Sequence, residues 1–131
     1  MYNTNISKEI LCWYDNNKRD LPWRKTSNPY KIWLSEVMLQ QTRVETVIPY
    51  YNNWLHNYKT IQSVAHANLD ELLKIWEGMG YYSRCKNFYY GAKEIICKYK
   101  GTIPNQFDVF KSLPGVGDYI AGAVMSIAFN Q

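Results

Sequence analysis

The 131-residue sequence lacks the features that mark several protein classes. Its three cysteines, Cys12, Cys85 and Cys97, are widely spaced and odd in number, so they predict neither a disulfide framework nor a local metal site. Seven glycines and five prolines are too few for a collagen-like or low-complexity chain. No apolar run approaches the roughly 18 residues of a membrane span, and the polar first residues lack a secretory signal. We therefore expect a soluble cytoplasmic or nucleoid protein with reduced thiols and no membrane partner.

The net charge of +4 is unevenly distributed along the chain. Residues 18–31 and residues 84–100 each carry five Lys or Arg against one acidic residue, so each segment has a net charge of +4 and the remainder has −4. Two basic segments on an otherwise acidic body indicate contact with a polyanion such as DNA. Each segment alone is also typical of a solvated helix face.

The apolar periodicity is helical almost throughout, and no alternating strand pattern is present. Candidate caps mark three helix starts, at Thr42 with Glu45, at Asn68 with Glu71, and at Asn28 before a proline. Gly101 stands where a left-handed cap would end the helix over residues 83–100. The sequence predicts an all-α bundle of about eight short helices. They cover residues 5–17, 29–41, 42–58, 60–67, 83–100, 105–112 and 117–129, with one more between Asn68 and Gly78.

The segment Leu-Pro-Gly-Val-Gly at residues 113–117 lies between two of these helices. Two glycines one residue apart let backbone N–H groups approach a phosphate at a helix amino terminus. An ordinary tight turn is the alternative for a bare Gly-x-Gly. The flanking Leu113-Pro114 and the small residues at 121–123 favour a helix-hairpin-helix, which binds the DNA backbone without reading bases.

Glu36 lies in a helix, residues 30–39, that is apolar nearly all round. A carboxyl group buried there is costly to ionise, and desolvation raises its pKa toward that of a proton donor near neutral pH. The alternative is a glutamate that faces solvent or pairs with Lys31.

Two further segments combine aromatic side chains with turns or positive charge. Residues 19–24 place Trp23 between two arginines, an arrangement that can sandwich a planar base or can form a small hydrophobic cluster under a loop. Residues 78–82 place two tyrosines on a glycine turn before a basic helix, where one of them can act as a wedge between bases. With twelve tyrosines in the chain, a purely structural pair is the alternative.

Together these segments resemble the A/G-specific adenine DNA glycosylases of the helix-hairpin-helix, endonuclease III-like superfamily. The most specific part is the run Ser-Glu-Val-Met-Leu-Gln-Gln-Thr at residues 35–42. The resemblance implies a helix-hairpin-helix glycosylase fold with a six-helix barrel over residues 18–131 and the helix-hairpin-helix at about 105–130. Residues 1–17 would form an amino-terminal helix that packs on a second, cluster-binding domain, which is otherwise absent.

The resemblance also implies a reaction. Adenine mispaired with 8-oxoguanine or guanine in double-stranded DNA is flipped out, and its N-glycosidic bond is hydrolysed by a monomeric base-excision repair enzyme. By similarity Glu36 is the general acid, which protonates adenine at N7. The resemblance implies an adenine pocket formed by Arg19, Leu21, Trp23 and Arg24. It implies contact with the lesion strand, or intercalation beside it, by Gln41, Thr42, Met79, Gly80, Tyr81 and Tyr82. It implies a clamp on a DNA phosphate formed by Gly115, Val116, Gly117 and Tyr119.

The sequence departs from the family pattern in three places. Tyr119 stands where the related lyases carry a nucleophilic lysine, which favours a monofunctional glycosylase. Asp118 places an anion beside the phosphate clamp. The chain ends at Gln131, before the family's Asp-Gly-Asn motif and its four [4Fe-4S] cysteines, so we expect a truncated and nearly inactive fragment without a cofactor, and a cluster in the full-length protein.

Two functional alternatives stay open at this point, beside a purely structural all-α bundle, which would show no salt-dependent binding to duplex DNA. One is a non-catalytic helix-hairpin-helix DNA-binding module, which has no need for an acid in an apolar helix. The other is an endonuclease III-like glycosylase/lyase acting on oxidised pyrimidines, which would form a covalent adduct with DNA.

Overall fold

The structure, a computed structural model, describes residues 21–131, and within that range all regular secondary structure is helical. A short 3-10 turn, Pro22–Arg24, precedes seven α-helices: α1 (Pro29–Leu39), α2 (Val44–Asn57), α3 (Ile61–Ala65), α4 (Leu69–Trp76), α5 (Tyr82–Lys98), α6 (Phe107–Lys111) and α7 (Asp118–Phe129). The all-α prediction is confirmed. The predicted helix at residues 5–17 and the proposed boundary at residue 17 lie outside the described residues. No helix in the described range is long and apolar enough to cross a membrane.

Local caps form at three of the positions that the sequence marks. Asn28 Oδ1 accepts the Tyr30 N–H at 3.0 Å at the start of α1, and Asn68 Oδ1 accepts the Asp70 N–H at 2.8 Å at the start of α4. Each cap satisfies an N–H that has no partner within its helix. After α5, Gly101 has a φ of +79°, which confirms the predicted left-handed stop.

The predicted capping box of Thr42 and Glu45 is wrong. Arg43 is the residue that precedes α2, and no side chain caps this helix. The cause lies in the preceding turn, where Gln41 is left-handed with a φ of +60° and the Thr42 N–H donates to the Leu39 carbonyl at 3.5 Å. Thr42 therefore closes the turn after α1 and cannot start the next helix.

Helix α1 lies at the centre of the molecule and packs against α2, α5, α7 and the 3-10 turn. Helices α3 and α4 pack on α5, and α6 packs on α7. The Trp33 ring of α1 lies 4.6 Å from the Phe88 ring of α5 and 5.1 Å from the Phe110 ring of α6, measured between centroids. Eight of the eleven residues of α1 are buried: Tyr30, Ile32, Trp33, Leu34, Ser35, Glu36, Val37 and Met38.

The closest approach of α5 to α1 predicts a test of this packing. A Cβ atom added at Gly91 would lie 2.8 Å from Cη2 of Trp33, a ring that is 1% exposed and cannot move aside. We expect Gly91→Ala to lower the free energy of unfolding by about 1–3 kcal/mol through overpacking. At Gly122 in α7, an added Cβ would meet no atom of residues 21–131 within 4 Å apart from its chain neighbours and the adjacent backbone of its own helix. Gly122→Ala should therefore raise the free energy of unfolding by up to about 1 kcal/mol. Urea titrations measure both variants, and an equal change in the free energy of unfolding for Gly91→Ala and Gly122→Ala would contradict the close contact of Gly91 with Trp33.

Candidate functional site

Glu36 is held in a cleft at the carboxyl-terminal half of α1. Its side chain is 8% exposed, and it lines the cleft together with Arg24, Leu39, Gln40 and Tyr119. The alternative of a solvent-facing glutamate is therefore wrong. The cleft measures about 130 Å³, less than the roughly 300 Å³ of the smallest drug-sized pockets, so it suits a group no larger than a heterocyclic base.

The surroundings of Glu36 act on its pKa in opposite directions. Burial is the largest effect and raises the pKa of the carboxyl group above its ordinary value. The positive charge of Arg24 lowers it, and so does the polar hydroxyl of Tyr119. The net pKa is raised, so the site favours the protonated acid while keeping two groups that stabilise the carboxylate.

The predicted adenine-pocket residues divide between the cleft and the core. Arg24 lines the cleft, whereas Leu21 and Trp23 are buried in the hydrophobic core. The Trp23 ring meets the Tyr51 ring edge to face at 5.3 Å and is 4% exposed, so it offers no open stacking face. In this respect the hydrophobic-cluster interpretation fits Trp23 better than the sandwich. Arg19 lies outside the described residues.

The turn between α4 and α5 presents one tyrosine to solvent in a strained conformation. Tyr81 is left-handed, with a φ of +52°, and is 54% exposed. Gly80, also at positive φ, is fixed by a 2.9 Å hydrogen bond from the Trp76 indole N–H to its carbonyl. Tyr82 is exposed beside Tyr81, whereas Met79 is buried and faces the core.

On the turn after α1, the side chain of Gln41 is exposed and that of Thr42 is half-buried.

The predicted helix-hairpin-helix is formed by α6, residues 112–117 and α7. Gly115 has a φ of +73°, and a Cβ atom there would lie 2.7 Å from Cβ of Asn87, so glycine is required on both counts. Val116 is buried, and Gly117 precedes α7 with no side-chain cap. The backbone N–H groups at this helix start therefore have no side-chain acceptor from the cap residue.

Two residues of α7 have partners that the sequence does not indicate. Tyr119, grouped with the phosphate clamp from the sequence, is placed in the Glu36 cleft. Asp118 forms an ion pair with Lys111 of α6, with the carboxylate oxygen 2.7 Å from Nζ. Both contacts join residues from different elements, and no local pattern in the sequence carries that information.

The two described cysteines do not form a ligand set for an iron–sulfur cluster. Cys85 is buried in the core, where burial raises the pKa of its thiol to about 12, and Cys97 is exposed. Within residues 21–131 no group of three or more His, Cys, Asp or Glu side chains is placed to hold a metal ion.

The raised pKa of Glu36 predicts a pH-dependent stability difference. At pH values between the pKa of Glu36 in the unfolded chain and its raised pKa in the folded protein, the folded protein binds more protons than the unfolded chain. The stabilisation that comes from Glu36 is therefore fully present below pH 4.5 and is lost as the pH rises through the pKa of the folded state. Glutamine does not titrate. We expect Glu36→Gln to gain stability relative to the parent as pH rises from below 4.5 to neutrality, as followed by thermal melts.

Glu45→Gln, at an exposed position of α2, provides the control for this experiment. A difference between the parent and Glu36→Gln that stays constant over the whole pH range would show that Glu36 is not desolvated in the folded state.

The chain is similar in sequence to known proteins. The sequence profile of the "HhH-GPD superfamily base excision DNA repair protein" family matches residues 34–128. The chain is 44% identical to the adenine DNA glycosylase of Rattus norvegicus, covering 98% of this chain and 27% of the relative. It is 45% identical to that of Homo sapiens, covering 93% and 24%, and 44% identical to that of Buchnera aphidicola subsp. Acyrthosiphon pisum, covering 95% and 36%. The chain thus spans about a quarter to a third of the length of these relatives.

Solved structures share the same fold. A thermostable thymine-DNA glycosylase superposes with a TM-score of 0.81 at 31% identity, over 93% of this chain and 57% of that one. A trapped endonuclease III-DNA covalent intermediate superposes with a TM-score of 0.74 at 24% identity, over 99% and 62%, which supports the fold alone. With its hairpin between α6 and α7, the chain belongs to the HhH-GPD superfamily of base excision DNA repair proteins.

Proposed function

We propose that this chain supplies the base-binding and proton-donating part of an adenine DNA glycosylase. The observation that carries the proposal is the desolvated Glu36 in a base-sized cleft, between an arginine and a tyrosine. The relatives named adenine DNA glycosylase, at 44–45% identity, support adenine as the base. The substrate would be double-stranded DNA with adenine opposite 8-oxoguanine or guanine, and the enzyme a monomer acting at the nucleoid.

The cleft suits general-acid cleavage of a glycosidic bond. The protonated Glu36 donates its proton to N7 of the flipped adenine, and the C1′–N9 bond breaks so that its electron pair leaves with the base. The sugar is left as an oxocarbenium-like cation, which takes up water at C1′ and loses a proton. As the proton leaves, Arg24 and the Tyr119 hydroxyl stabilise the new carboxylate. Burial thus favours the protonated form of Glu36 before the reaction, and Arg24 and Tyr119 favour the release of its proton to the base.

The composition of the cleft favours a monofunctional enzyme over the two alternatives. A lyase needs an amine at the site to form a Schiff base, and among the described residues the cleft is lined by none. Tyr119, at the position where the related lyases carry a lysine, lines the cleft instead. A non-catalytic DNA-binding module has no use for a carboxyl group whose burial destabilises the folded protein at neutral pH.

Binding of duplex DNA would use the turn after α1, the turn between α4 and α5, and the hairpin before α7. Tyr81 would enter the base stack, Gln41 and Thr42 would contact the lesion strand, and Gly115 to Gly117 would hold a phosphate. Of the second basic segment, Lys93 donates to the Ala65 carbonyl at 3.0 Å and Lys98 pairs with Glu94, so these two lysines are partly engaged within the protein.

A chimeric enzyme tests the proposed reaction. This chain replaces the segment of the Buchnera aphidicola relative that aligns with it, at 44% identity, and single-turnover adenine release is measured on an A:8-oxoguanine duplex. We expect adenine release by the chimera and a loss of about 10²- to 10⁴-fold in Glu36→Gln, because a general acid contributes about that much.

Glu45→Gln should release adenine at the rate of the parent chimera. Equal rates for the parent and Glu36→Gln would overturn the assignment of the acid. A covalent DNA adduct trapped by borohydride would instead support the lyase alternative.

The ion pair of Asp118 with Lys111 predicts a change in DNA affinity. Asp118→Asn removes an anion next to the proposed clamp and frees Lys111 for a phosphate. We expect about three- to tenfold tighter binding to duplex DNA at low salt, with the slope of log K against log salt steeper by about one. Asp70→Asn makes the same charge change in the first turn of α4 and should leave both quantities unchanged. Weaker binding by Asp118→Asn would contradict this role.

A further inference from the structure

Tyr81 is set apart from the other left-handed residues by its place in the fold. Within residues 21–131 four non-glycine residues have positive φ: Gln41, Tyr81, Lys100 and Asn130. Three of them follow the carboxyl end of a helix, where a left-handed residue is common. Tyr81 instead precedes α5, so no helix end accounts for its conformation. A strained backbone away from such positions is retained when its surroundings hold it, and it often serves a functional site.

The side chain that holds Tyr81 is Arg84, one turn further along α5. The guanidinium carbon lies 4.5 Å from the centroid of the Tyr81 ring, within range of a cation–π interaction. The Arg84 backbone N–H donates to the Tyr81 carbonyl at 3.0 Å. Arg84 therefore contacts both the ring and the backbone of the strained residue.

The same guanidinium reaches the helix that carries Glu36. Nη1 of Arg84 donates to the Val37 carbonyl at 3.4 Å. Val37 lies in the last turn of α1, where carbonyl groups have no partner within the helix and a positive charge is favourable. Arg84 thus connects the turn that bears Tyr81 to the residue next to the general acid.

We infer that Arg84 is a positioning residue, which holds Tyr81 as a wedge at a fixed distance from the helix that carries Glu36. The inference deepens the proposed function and rests on it for the role of the wedge. The guanidinium carbon lies over the ring while one N–H of the same group binds the carbonyl. The single nitrogen of a lysine cannot keep both contacts in that geometry.

The test uses the full 131-residue chain and begins without DNA. In NMR spectra the Arg84 Nε–Hε resonance should be displaced from its ordinary position by the Tyr81 ring, and Tyr81→Leu should remove that displacement. An Arg84 resonance at its ordinary position in the parent would overturn the inference, whatever the protein does to DNA.

The second arm measures dissociation constants for A:8-oxoguanine and matched duplexes. We expect Arg84→Met to weaken binding to the mispaired duplex by about tenfold, as for partial loss of an aromatic–base contact. In a Tyr81→Leu background the same substitution should lower the preference for the mispaired over the matched duplex no further, because the loss of its charge weakens binding to both duplexes alike. Compared with Arg84→Met, Arg84→Lys should recover the parent's affinity for the matched duplex, because it keeps the charge, and only part of the parent's affinity for the mispaired duplex.

The control is Lys86→Met, at an exposed position of α5, which removes one charge without touching Tyr81. The inference would be overturned if Arg84→Met and Tyr81→Leu lowered the preference for the mispaired duplex additively, or if Arg84→Lys fully recovered the parent's affinity for that duplex. If the parent chain does not distinguish the two duplexes, the proposed function fails in this arm, and the NMR measurement alone decides whether Arg84 positions Tyr81.

Discussion

Helix α1 has no face turned fully to water, because α2, α5, α7 and the 3-10 turn surround it. A carboxyl group on this helix is therefore largely removed from water, and ionising it there costs more than in water. The chemistry of Glu36 follows from this packing. The helix is buried because its sequence is apolar on every side, and the acid acquires a raised pKa because it belongs to that helix.

The same packing brings the other elements to Glu36. Helix α7 begins at the hairpin and places Tyr119 in the cleft within its first turn, while α5 begins beside Tyr81 and reaches back to α1 through Arg84. The proposed clamp, the proposed wedge and the acid thus meet at one helix. Their relative positions depend on buried contacts such as that of Trp33 with Phe88, since rigid packing fixes distances between elements.

The parts of this arrangement that are local in sequence could be predicted. The apolar run of α1, the cap at Asn28 and the glycine stop after α5 depend on neighbouring residues, and all three are confirmed. Contacts between distant residues could not be predicted in the same way. The partner of Asp118 and the position of Tyr119 depend on how helices meet. The box predicted at Thr42 failed because the left-handed turn before it moved the helix start.

The central claim is that Glu36 is desolvated in the folded protein and is protonated more readily than an ordinary glutamate. The most direct measurement is an NMR titration that follows the side-chain carboxyl carbon of Glu36 in the folded chain. A titration midpoint above 4.5 is predicted, because burial outweighs the effects of Arg24 and Tyr119. A midpoint at or below 4.5 in the folded protein would contradict the claim and would favour a non-catalytic DNA-binding module.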